Sequence, residues 1–370
     1  MKIVIFGLSV TSSWGNGHAT LLRGLFQALH NMGHEVHFFE RDTPYYASHR
    51  DLISLPSATV HVYPDWDSVL PHSARALSDA DVGMVTSYCQ DGKAASELVR
   101  ESPVSRKAFY DMDTPVTLSQ LAKGESVPYL PEGGFAGFDI VFSYTGGLAL
   151  ERLRNVLGAQ RAEALYGWVD PDVYYRVPAE SKFASRLSYL GTYAADRQQA
   201  LENLLVKPAE KLGDLPFLIG GAMYPDTQSW PKNIRFIDHV PPADHRAFYS
   251  SSPLTLNITR GSMAAMGYCP SGRLFEAAAC GTAVVSDNWE GLDTFFTPGE
   301  EILLVESTAE AIRAISDDPH QLGRIGARAR ERALSCHTAQ LRAQRFVKLL
   351  DALPGSSPVD ETVVLTAERA

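Results

Sequence analysis

The chain has 370 residues, of which 45% are hydrophobic and 21% are charged, and its formal net charge is −10. This length and composition are typical of a globular protein with two domains. The negative charge argues against nucleic acid as a partner, because neutralising a phosphate backbone requires a basic face.

The chain opens with the pattern of an α/β protein. Residues 2–8 form a short apolar run, residues 19–32 carry apolar side chains at helical spacing, and residues 36–39 form the next apolar run. A strand, a loop, a helix and a second strand in this order predict the start of a doubly wound sheet. We therefore expect the first residues to form a strand and not a signal peptide.

Two further features bear on where the protein works. No apolar run in the sequence is long enough to predict a transmembrane segment. The four cysteines form no C-x-x-C pair, so the sequence predicts reduced thiols in a cytoplasmic protein.

The loop before the first helix contains candidate functional residues. Gly15, Asn16 and Gly17 do not complete a G-x-G-x-x-G fingerprint, but their small side chains let an acceptor or a phosphate approach the backbone. His18 follows at the helix N-terminus, where the helix dipole favours the neutral imidazole that a general base needs. The alternative is that His18 caps the helix or binds phosphate or acceptor without moving a proton.

The chain changes character near its middle. Residues 169–180 begin with a proline-bearing, non-periodic segment, which predicts an interdomain linker and a hinge beside a cleft. A new strand follows at residues 187–190. A later strand over residues 254–258 leads to Arg260, where a cation is well placed for phosphate or sugar; the alternative is a surface salt bridge.

The most informative stretch runs from Gly267 to Asp293 and reads as loop, helix, turn, strand and loop. Ser271 is the predicted N-cap of its helix. Phosphate is attracted to free N–H groups at a helix N-terminus, and Arg273 adds a fixed charge there. Glu276 lies three residues further on the same side, where its carboxylate can accept two hydrogen bonds from the vicinal hydroxyls of a ribose. The remaining candidates of this ligand site are Gly272 in the first turn and Trp289, Glu290 and Gly291 after the strand.

This stretch resembles the donor site of GT-B glycosyltransferases, in which a helix with the pattern E-A-x-A-x-G-x-P-V-V holds a nucleotide sugar. Here the residues are EAAACGTAVV from Glu276 to Val285, with Ala283 where proline is usual. Retaining enzymes carry a second Glu eight residues before the first, and Tyr268 occupies that position. The resemblance is closest to the spore-maturation CgeB-like glycosyltransferases, through N-I-T-R at residues 257–260, P-S-G-R-L-F-E-A-A-A-C-G at residues 270–281 and the run from Ser286 to Ile302.

The resemblance implies a GT-B fold of the α/β class, with two Rossmann-like lobes that face each other across a cleft. It also implies transfer of a sugar from a nucleotide-diphosphate sugar to an acceptor hydroxyl, with no cofactor and no metal. The implied organisation is an N-terminal acceptor lobe (1–168), a linker (169–180), a C-terminal donor lobe (181–336), a helix that crosses back to the first lobe (337–353) and a flexible tail (354–370).

The same resemblance suggests roles for individual residues. A base histidine in this loop of inverting enzymes corresponds to His18, and an aspartate at a later strand end orients it, which here is Asp111 or Asp113. A basic residue that reaches the donor diphosphate corresponds by position to Arg197. The candidates for backbone contacts with the nucleotide base are His239 and Val240.

Several alternatives stay open at this point. Asp111-Met112-Asp113 also spells D-x-D, which holds a divalent metal in GT-A enzymes, although such short motifs are common by chance. A sugar-nucleotide epimerase or a non-catalytic nucleotide-sugar or glycan-binding protein would use the same lobes. The acceptor can be a glycan, a small molecule or a protein, and fold alone does not decide the chemistry.

Overall fold

The computed structural model describes residues 1–354. The flexible tail predicted over residues 354–370 lies outside the described residues, apart from Pro354. Two parallel sheets of seven and six strands form the framework, as the alternating strand and helix pattern predicts. The strands are β1 (Lys2–Gly7), β2 (Glu35–Arg41), β3 (Thr59–Tyr63), β4 (Val82–Thr86), β5 (Arg106–Asp111), β6 (Ile140–Ser143), β7 (Ala162–Ala164), β8 (Leu187–Leu190), β9 (Phe217–Gly220), β10 (Ile234–Ile237), β11 (Leu254–Asn257), β12 (Ala283–Ser286) and β13 (Leu303–Leu304).

Helices connect these strands and cover both faces of each sheet. They are α1 (Gly17–Asn31), α2 (Pro44–Ala47), α3 (Trp66–Ser78), α4 (Gly92–Glu101), α5 (Thr114–Ala122), α6 (Leu148–Asn155), α7 (Gln198–Leu201), α8 (Lys207–Lys211), α9 (Pro242–Ser250), α10 (Gly261–Met266), α11 (Gly272–Ala279), α12 (Thr308–Ser316), α13 (Pro319–Cys336) and α14 (Ala339–Asp351). A 3₁₀ turn (Ala195–Arg197) leads into α7, a π turn (Glu202–Val206) joins α7 to α8, and a second 3₁₀ turn (Leu292–Thr294) follows β12.

Both sheets reverse their strand order at one point. The first has the order β3-β2-β1-β4-β5-β6-β7 and the second β10-β9-β8-β11-β12-β13, with parallel pairing throughout. The reversals lie between β1 and β4 and between β8 and β11. Ligands of open parallel sheets bind beyond the carboxyl ends of strands at such reversals, so each lobe offers one predictable binding edge.

Burial explains why the sequence pattern identified the strands. Ile3, Val4, Ile5 and Phe6 of β1 are all fully buried, because helices cover both faces of a parallel sheet. Alternate residues of β1 therefore enter different cores, with Ile3 and Ile5 on one side and Val4 and Phe6 on the other.

The last helix joins the first lobe. Phe346 and Leu350 of α14 pack in the same core as Leu25 of α1. The segment that leads into α14 pairs with the linker, because Val169 N–H donates to His337 O at 2.9 Å and Ala339 N–H donates to Val169 O at 2.8 Å. The two chain segments that cross between the lobes are thus hydrogen-bonded to each other. Within residues 1–354, no helix combines the length and hydropathy that crossing a membrane requires.

Candidate active site

A cleft of about 430 Å³ lies between the lobes. It is lined by residues that follow β1, β5 and β6 in the first lobe and β8, β9, β10 and β11 in the second. These are the carboxyl ends of strands beside the two reversals, where the topology places a ligand. The cleft brings together most of the candidate residues of the sequence analysis.

His18 forms a hydrogen-bonded pair with Asp113. Its Nε2 lies 2.8 Å from Asp113 Oδ2, and that oxygen also accepts a 3.0 Å hydrogen bond from Ser87 Oγ. Because a carboxylate only accepts, the ring proton sits on Nε2. Nδ1 is buried and has no hydrogen-bond partner in residues 1–354, while the ring lines the cleft. A histidine held by a carboxylate through one nitrogen is the arrangement of a general base that uses the other nitrogen.

Asp111 occupies a different environment from Asp113. It is fully buried, and its Oδ1 accepts a 3.0 Å hydrogen bond from Asp113 N–H. Burial first, and the Asp113 carboxylate second, raise the pKa of Asp111 to about 7. Of the two aspartates that the sequence left open, Asp113 is therefore the one that holds His18, and Asp111 supports the backbone of Asp113.

The loop before α1 is more rigid than its small residues suggest. Asn16 caps α1 by accepting from His18 N–H at 3.1 Å, and its amide donates to Ser9 O at 2.9 Å and Ser12 O at 3.0 Å. The polar atoms of the Asn16 side chain therefore hold the loop, and the approach of an acceptor or phosphate to the backbone of this loop stays a prediction. Gly15 and Gly17 also line the cleft, and because they have no side chain they present only backbone atoms to a ligand.

Three arginines converge on the opposite wall of the cleft. The guanidinium of Arg273 donates from Nη1 to Asn257 Oδ1 at 2.9 Å and lies 5.2 Å over the ring of Tyr189. Arg197 donates to Thr192 O, and its Nε is buried without a partner in the described part of the chain. Burial lowers the pKa of Arg197, and the charges of Arg273 and Arg260 act in the same direction.

These charges are poorly compensated. Within residues 1–354, neither Arg197 nor Arg273 forms an ion pair with a carboxylate, and Arg260 has only Asp196 Oδ2 at 3.6 Å from its Nε. Arg197 and Arg273 are half-buried, and a partly desolvated cation without a counter-ion costs free energy, which an anionic ligand would offset. A cluster of guanidinium groups suits the oxygens of a diphosphate.

Arg260 is positioned by a residue whose role the sequence did not reveal. Asp287, which follows β12, accepts from Thr259 N–H at 3.1 Å and from Thr259 Oγ1 at 3.0 Å. This fixes the backbone immediately before Arg260 at the end of β11. Burial raises the pKa of Asp287, and the hydrogen bonds oppose that shift.

The start of α11 agrees with its predicted cap. Ser271 has an extended backbone, and its side chain accepts from Arg273 N–H at 3.3 Å. Leu274 N–H is also satisfied, by Ser271 O at 3.1 Å. Ser271 and Gly272 both line the cleft, and a ligand that approaches this helix end meets fewer free N–H groups than an uncapped helix would offer.

Glu276 lies deeper along the same wall. Its Oε2 accepts a 3.2 Å hydrogen bond from Tyr249 Oη, and its side chain lines both the main cleft and a smaller cavity of about 280 Å³. The carboxylate is half-buried and retains accepting capacity for ligand hydroxyls.

His239 and Val240 line the cleft beside Glu276. His239 has a left-handed backbone with φ of 52°, and its ring lies 4.3 Å from that of Trp14 in the first lobe. Trp14 also stacks on His49, with ring centroids 4.4 Å apart. Trp14 thus bridges the lobes next to the loop that carries Val240, a contact that no pattern in the sequence indicated.

Three candidates after β12 do not face the cleft. Trp289 is 6% exposed and packs in the core of the second lobe near Phe295. Glu290 is exposed outside the cleft, and its carbonyl accepts from Tyr268 N–H at 2.7 Å. Gly291 has φ of 85°, and the ring of Tyr268 lies against it, so close that a Cβ would sit 2.4 Å away. These residues do not line the cleft, because the loop folds back to support Tyr268, and a contact of theirs with the donor stays a prediction.

Another aromatic residue absent from the sequence analysis lies beside His18. Tyr88 follows β4 by two residues, and its ring centroid is 6.1 Å from that of His18. Its position after a strand next to the reversal was the available signal, but β4 carries no motif.

For metal binding, residues 1–354 contain no group of three or more His, Cys, Asp or Glu that could hold an ion. Asp111 and Asp113 of the D-x-D motif are engaged as described above.

Comparisons with known proteins agree with this architecture. Residues 197–348 match a family model described as Glycosyl transferase-like. A sucrose-phosphate synthase from Thermosynechococcus elongatus superposes with a TM-score of 0.65 at 16% identity, over 94% of this chain and 98% of that one. Anabaena HepE in complex with UDP-glucose gives a TM-score of 0.68 at 13% identity, over 95% of this chain and 100% of that one.

The chain has the GT-B fold. A glycosyltransferase from Rickettsia africae also superposes along nearly all of both chains, with a TM-score of 0.64 at 11% identity over 96% of this chain and 99% of that one. None of the curated proteins matches by sequence. In the GT-B arrangement of two facing lobes, the His18–Asp113 pair belongs to the first lobe and the arginine cluster to the second, with the cleft between them.

Proposed function

We propose that this protein is a glycosyltransferase that moves a sugar from a nucleoside diphosphate sugar to an acceptor hydroxyl without a metal ion. One observation carries the proposal. A carboxylate-held histidine and three weakly compensated arginines line opposite walls of the same cleft. The first set suits activation of a hydroxyl and the second suits a diphosphate leaving group.

The proposed donor occupies the second lobe. Arg197, Arg260 and Arg273 bind the diphosphate, Glu276 accepts hydrogen bonds from the ribose hydroxyls, and the backbone of His239 and Val240 contacts the base. HepE is a neighbour of the same fold that binds UDP-glucose, which supports a UDP-hexose as the first donor to test. The match of residues 197–348 to a glycosyl transferase-like family supports the same assignment of the donor lobe.

The proposed reaction is an inverting displacement. His18 Nδ1 takes the proton of the acceptor hydroxyl, whose oxygen attacks the anomeric carbon. The bond from that carbon to the diphosphate oxygen breaks, and the electron pair leaves with the nucleoside diphosphate. Asp113 stabilises the imidazolium that forms, and the three arginines stabilise the negative charge on the leaving group. Since arginines supply the positive charge, this route needs neither a metal nor a further cofactor.

Two narrower assignments accompany the proposal. The motifs at residues 257–260 and 270–281 support membership of the spore-maturation CgeB-like group. A cytoplasmic location is supported by the four cysteines, all of which are free thiols and three of which are buried.

The proposal is tested by a thermal-shift screen against UDP, GDP, dTDP, CDP and their common sugars, with and without EDTA. We expect one nucleotide family to stabilise the protein by about 2.7 kcal/mol at a hundredfold excess over its Kd, with no effect of EDTA. Glu276→Ala should raise the nucleotide Kd by about 10- to 100-fold, since a hydrogen bond to a charged group contributes about 1.5–3 kcal/mol.

The matched control is Glu290→Ala, because Glu290 is exposed and lies outside the cleft. The nucleotide Kd of Glu290→Ala should equal that of the unaltered protein. A screen in which no nucleotide stabilises the protein would contradict the donor site as a whole, and an unchanged Kd for Glu276→Ala would contradict the ribose contact alone. Nucleotide binding without transfer or hydrolysis would favour a binding protein over an enzyme.

A further inference from the structure

We infer that the acceptor of this site stacks on the ring of Tyr88 and that this acceptor is a neutral carbohydrate. The inference rests on the glycosyltransferase function proposed above and adds to it the chemical class of the second substrate. It starts from the position of Tyr88, whose ring meets that of His18 edge-on, with centroids 6.1 Å apart and planes inclined by 62°.

The backbone of Tyr88 is strained in a way that fixes this ring. Its φ is 59°, a left-handed conformation that a bulky side chain adopts only when its surroundings impose it. Ser87 supplies that constraint, since its N–H donates to Tyr110 O at 3.0 Å and its hydroxyl donates to Asp113. The segment that holds the general-base pair together therefore also sets the direction of Tyr88.

One side of the Tyr88 ring is supported and another is open. The buried ring of Tyr129 lies 4.9 Å behind it, and Tyr129 is itself anchored by a 2.7 Å hydrogen bond with Thr117. Tyr88 nevertheless remains 39% exposed. A rigid, half-exposed aromatic ring beside a base is suited to the C–H face of a sugar.

The charges of this edge point to a neutral ligand. Two arginines of the first lobe are engaged in ion pairs, Arg41 with Asp91 at 2.9 Å and Arg50 with Asp42 at 2.7 Å. Burial first, and the Asp113 carboxylate second, raise the pKa of Tyr88, and the Arg260 guanidinium opposes that shift. In the proposed complex the donor diphosphate binds Arg260, so an acidic acceptor would meet the Asp113 carboxylate, whereas a neutral sugar needs no counter-ion.

The test measures transfer from UDP-glucose, or from the glucose derivative of whichever nucleotide stabilises the protein. The acceptors are glucose, maltose and cellobiose, with glucuronic acid and a serine-containing peptide for comparison. We expect transfer to a neutral saccharide, and Tyr88→Ala should raise the KM for that acceptor about 5- to 10-fold while the nucleotide Kd stays unchanged. Tyr88→Phe, which keeps the ring, should stay within about twofold of the unaltered protein.

Two further variants separate binding from folding. Tyr175→Ala removes a tyrosine of equal exposure, 39%, on the linker, and should leave the acceptor KM unchanged. Tyr88→Gly removes the ring and also relieves the strained φ, so it should melt no lower than Tyr88→Ala while it shows the same rise in acceptor KM.

The other possible outcomes overturn either the acceptor assignment or the proposed function. An unchanged acceptor KM in Tyr88→Ala, a preference for glucuronic acid or the peptide, or consumption of the donor without transfer to any saccharide would overturn the acceptor assignment alone. An unaltered protein that neither binds nor consumes any nucleotide sugar would overturn the proposed function, and the acceptor site with it.

Discussion

His18 and His337 are both held by hydrogen bonds, but only His18 retains a nitrogen for chemistry. At His337, Nδ1 accepts from Arg342 Nη2 at 2.9 Å and Nε2 donates to Phe295 O at 3.3 Å. At His18, Asp113 occupies Nε2, and Nδ1 has no partner among residues 1–354. The residue with one nitrogen left can accept a proton from a substrate, whereas the residue with none serves the structure.

His18→Ala should lower kcat by about 10²- to 10⁴-fold, the usual contribution of a general base, and leave the nucleotide Kd unchanged. The effect is confined to turnover because the proposed donor contacts come from the other wall of the cleft. Steady-state kinetics and calorimetry on the same preparation measure both quantities. His30→Ala, at an exposed position in the last turn of α1, should behave as the unaltered protein. Full turnover of His18→Ala would remove His18 as the base.

At the scale of elements, the loop between β1 and α1 depends on a buried carboxylate. Glu40, the sixth residue of β2, is 1% exposed. It accepts from Val10 N–H at 2.6 Å, from Thr11 N–H at 3.1 Å and from the hydroxyls of Ser9 and Thr11. Since the loop leads into α1, whose second residue is His18, Glu40 fixes the start of the segment that carries the proposed base.

Glu40→Gln should lower the free energy of unfolding by about 2–4 kcal/mol, because the amide loses charge-assisted hydrogen bonds and turns an N–H group toward the loop donors. Turnover should fall in the same variant, since the loop positions His18. Urea unfolding and kinetics measure the two effects. Glu35→Gln is the matched control, as Glu35 is an exposed residue of the same strand. Equal stability of the two variants would contradict this role of Glu40.

The elements themselves were predictable from the sequence, and the directions of their loop side chains were not. Strands such as β1 are buried on both faces, which produces the apolar runs that identify them. Ser271 was predictable as a cap because capping is a local interaction. Whether Trp289 faces the cleft or the core depends on how Tyr268 packs against Gly147 of the other lobe, a contact between residues more than a hundred positions apart. The role of Tyr88 was not predicted either, because its contact with His18 joins two segments that lie far apart in the sequence.

At the scale of the whole molecule, the lobes touch at more than one place. Thr145 Oγ1 donates to Cys269 Sγ at 3.1 Å, and Trp14 lies against His239. Behind the cleft, the linker pairs with the segment before α14. His337 lies in that segment and contacts Phe295 of the second lobe. Arg342 of α14 donates to His337 Nδ1 and also to Tyr166 O, the latter at 3.1 Å. His337 and Arg342 thus connect the second lobe, α14 and the segment before the linker.

The stability of this junction should therefore depend on pH through His337. Burial, with a smaller contribution from the Arg342 guanidinium, lowers the pKa of His337 to about 4. Because an unfolded histidine has a pKa of about 6.5, the unfolded chain takes up a proton between pH 6.5 and pH 4 while the folded protein does not. The contribution of this group to stability is thus complete above pH 6.5 and is lost as the pH falls toward 4, by about 3 kcal/mol in total.

Urea unfolding at several pH values tests this dependence on the full chain. His337→Gln keeps an acceptor for Arg342 and a donor for Phe295 O but does not titrate, so its free energy of unfolding should fall less between pH 7 and pH 4 than that of the unaltered protein. His320→Gln, an exposed position on α13, should follow the unaltered protein instead. If His337→Gln and His320→Gln show the same slope, the neutral His337 is not what makes the junction sensitive to acid. If only His337→Gln flattens the curve, the linkage between the lobes weakens in acid because one buried imidazole resists protonation.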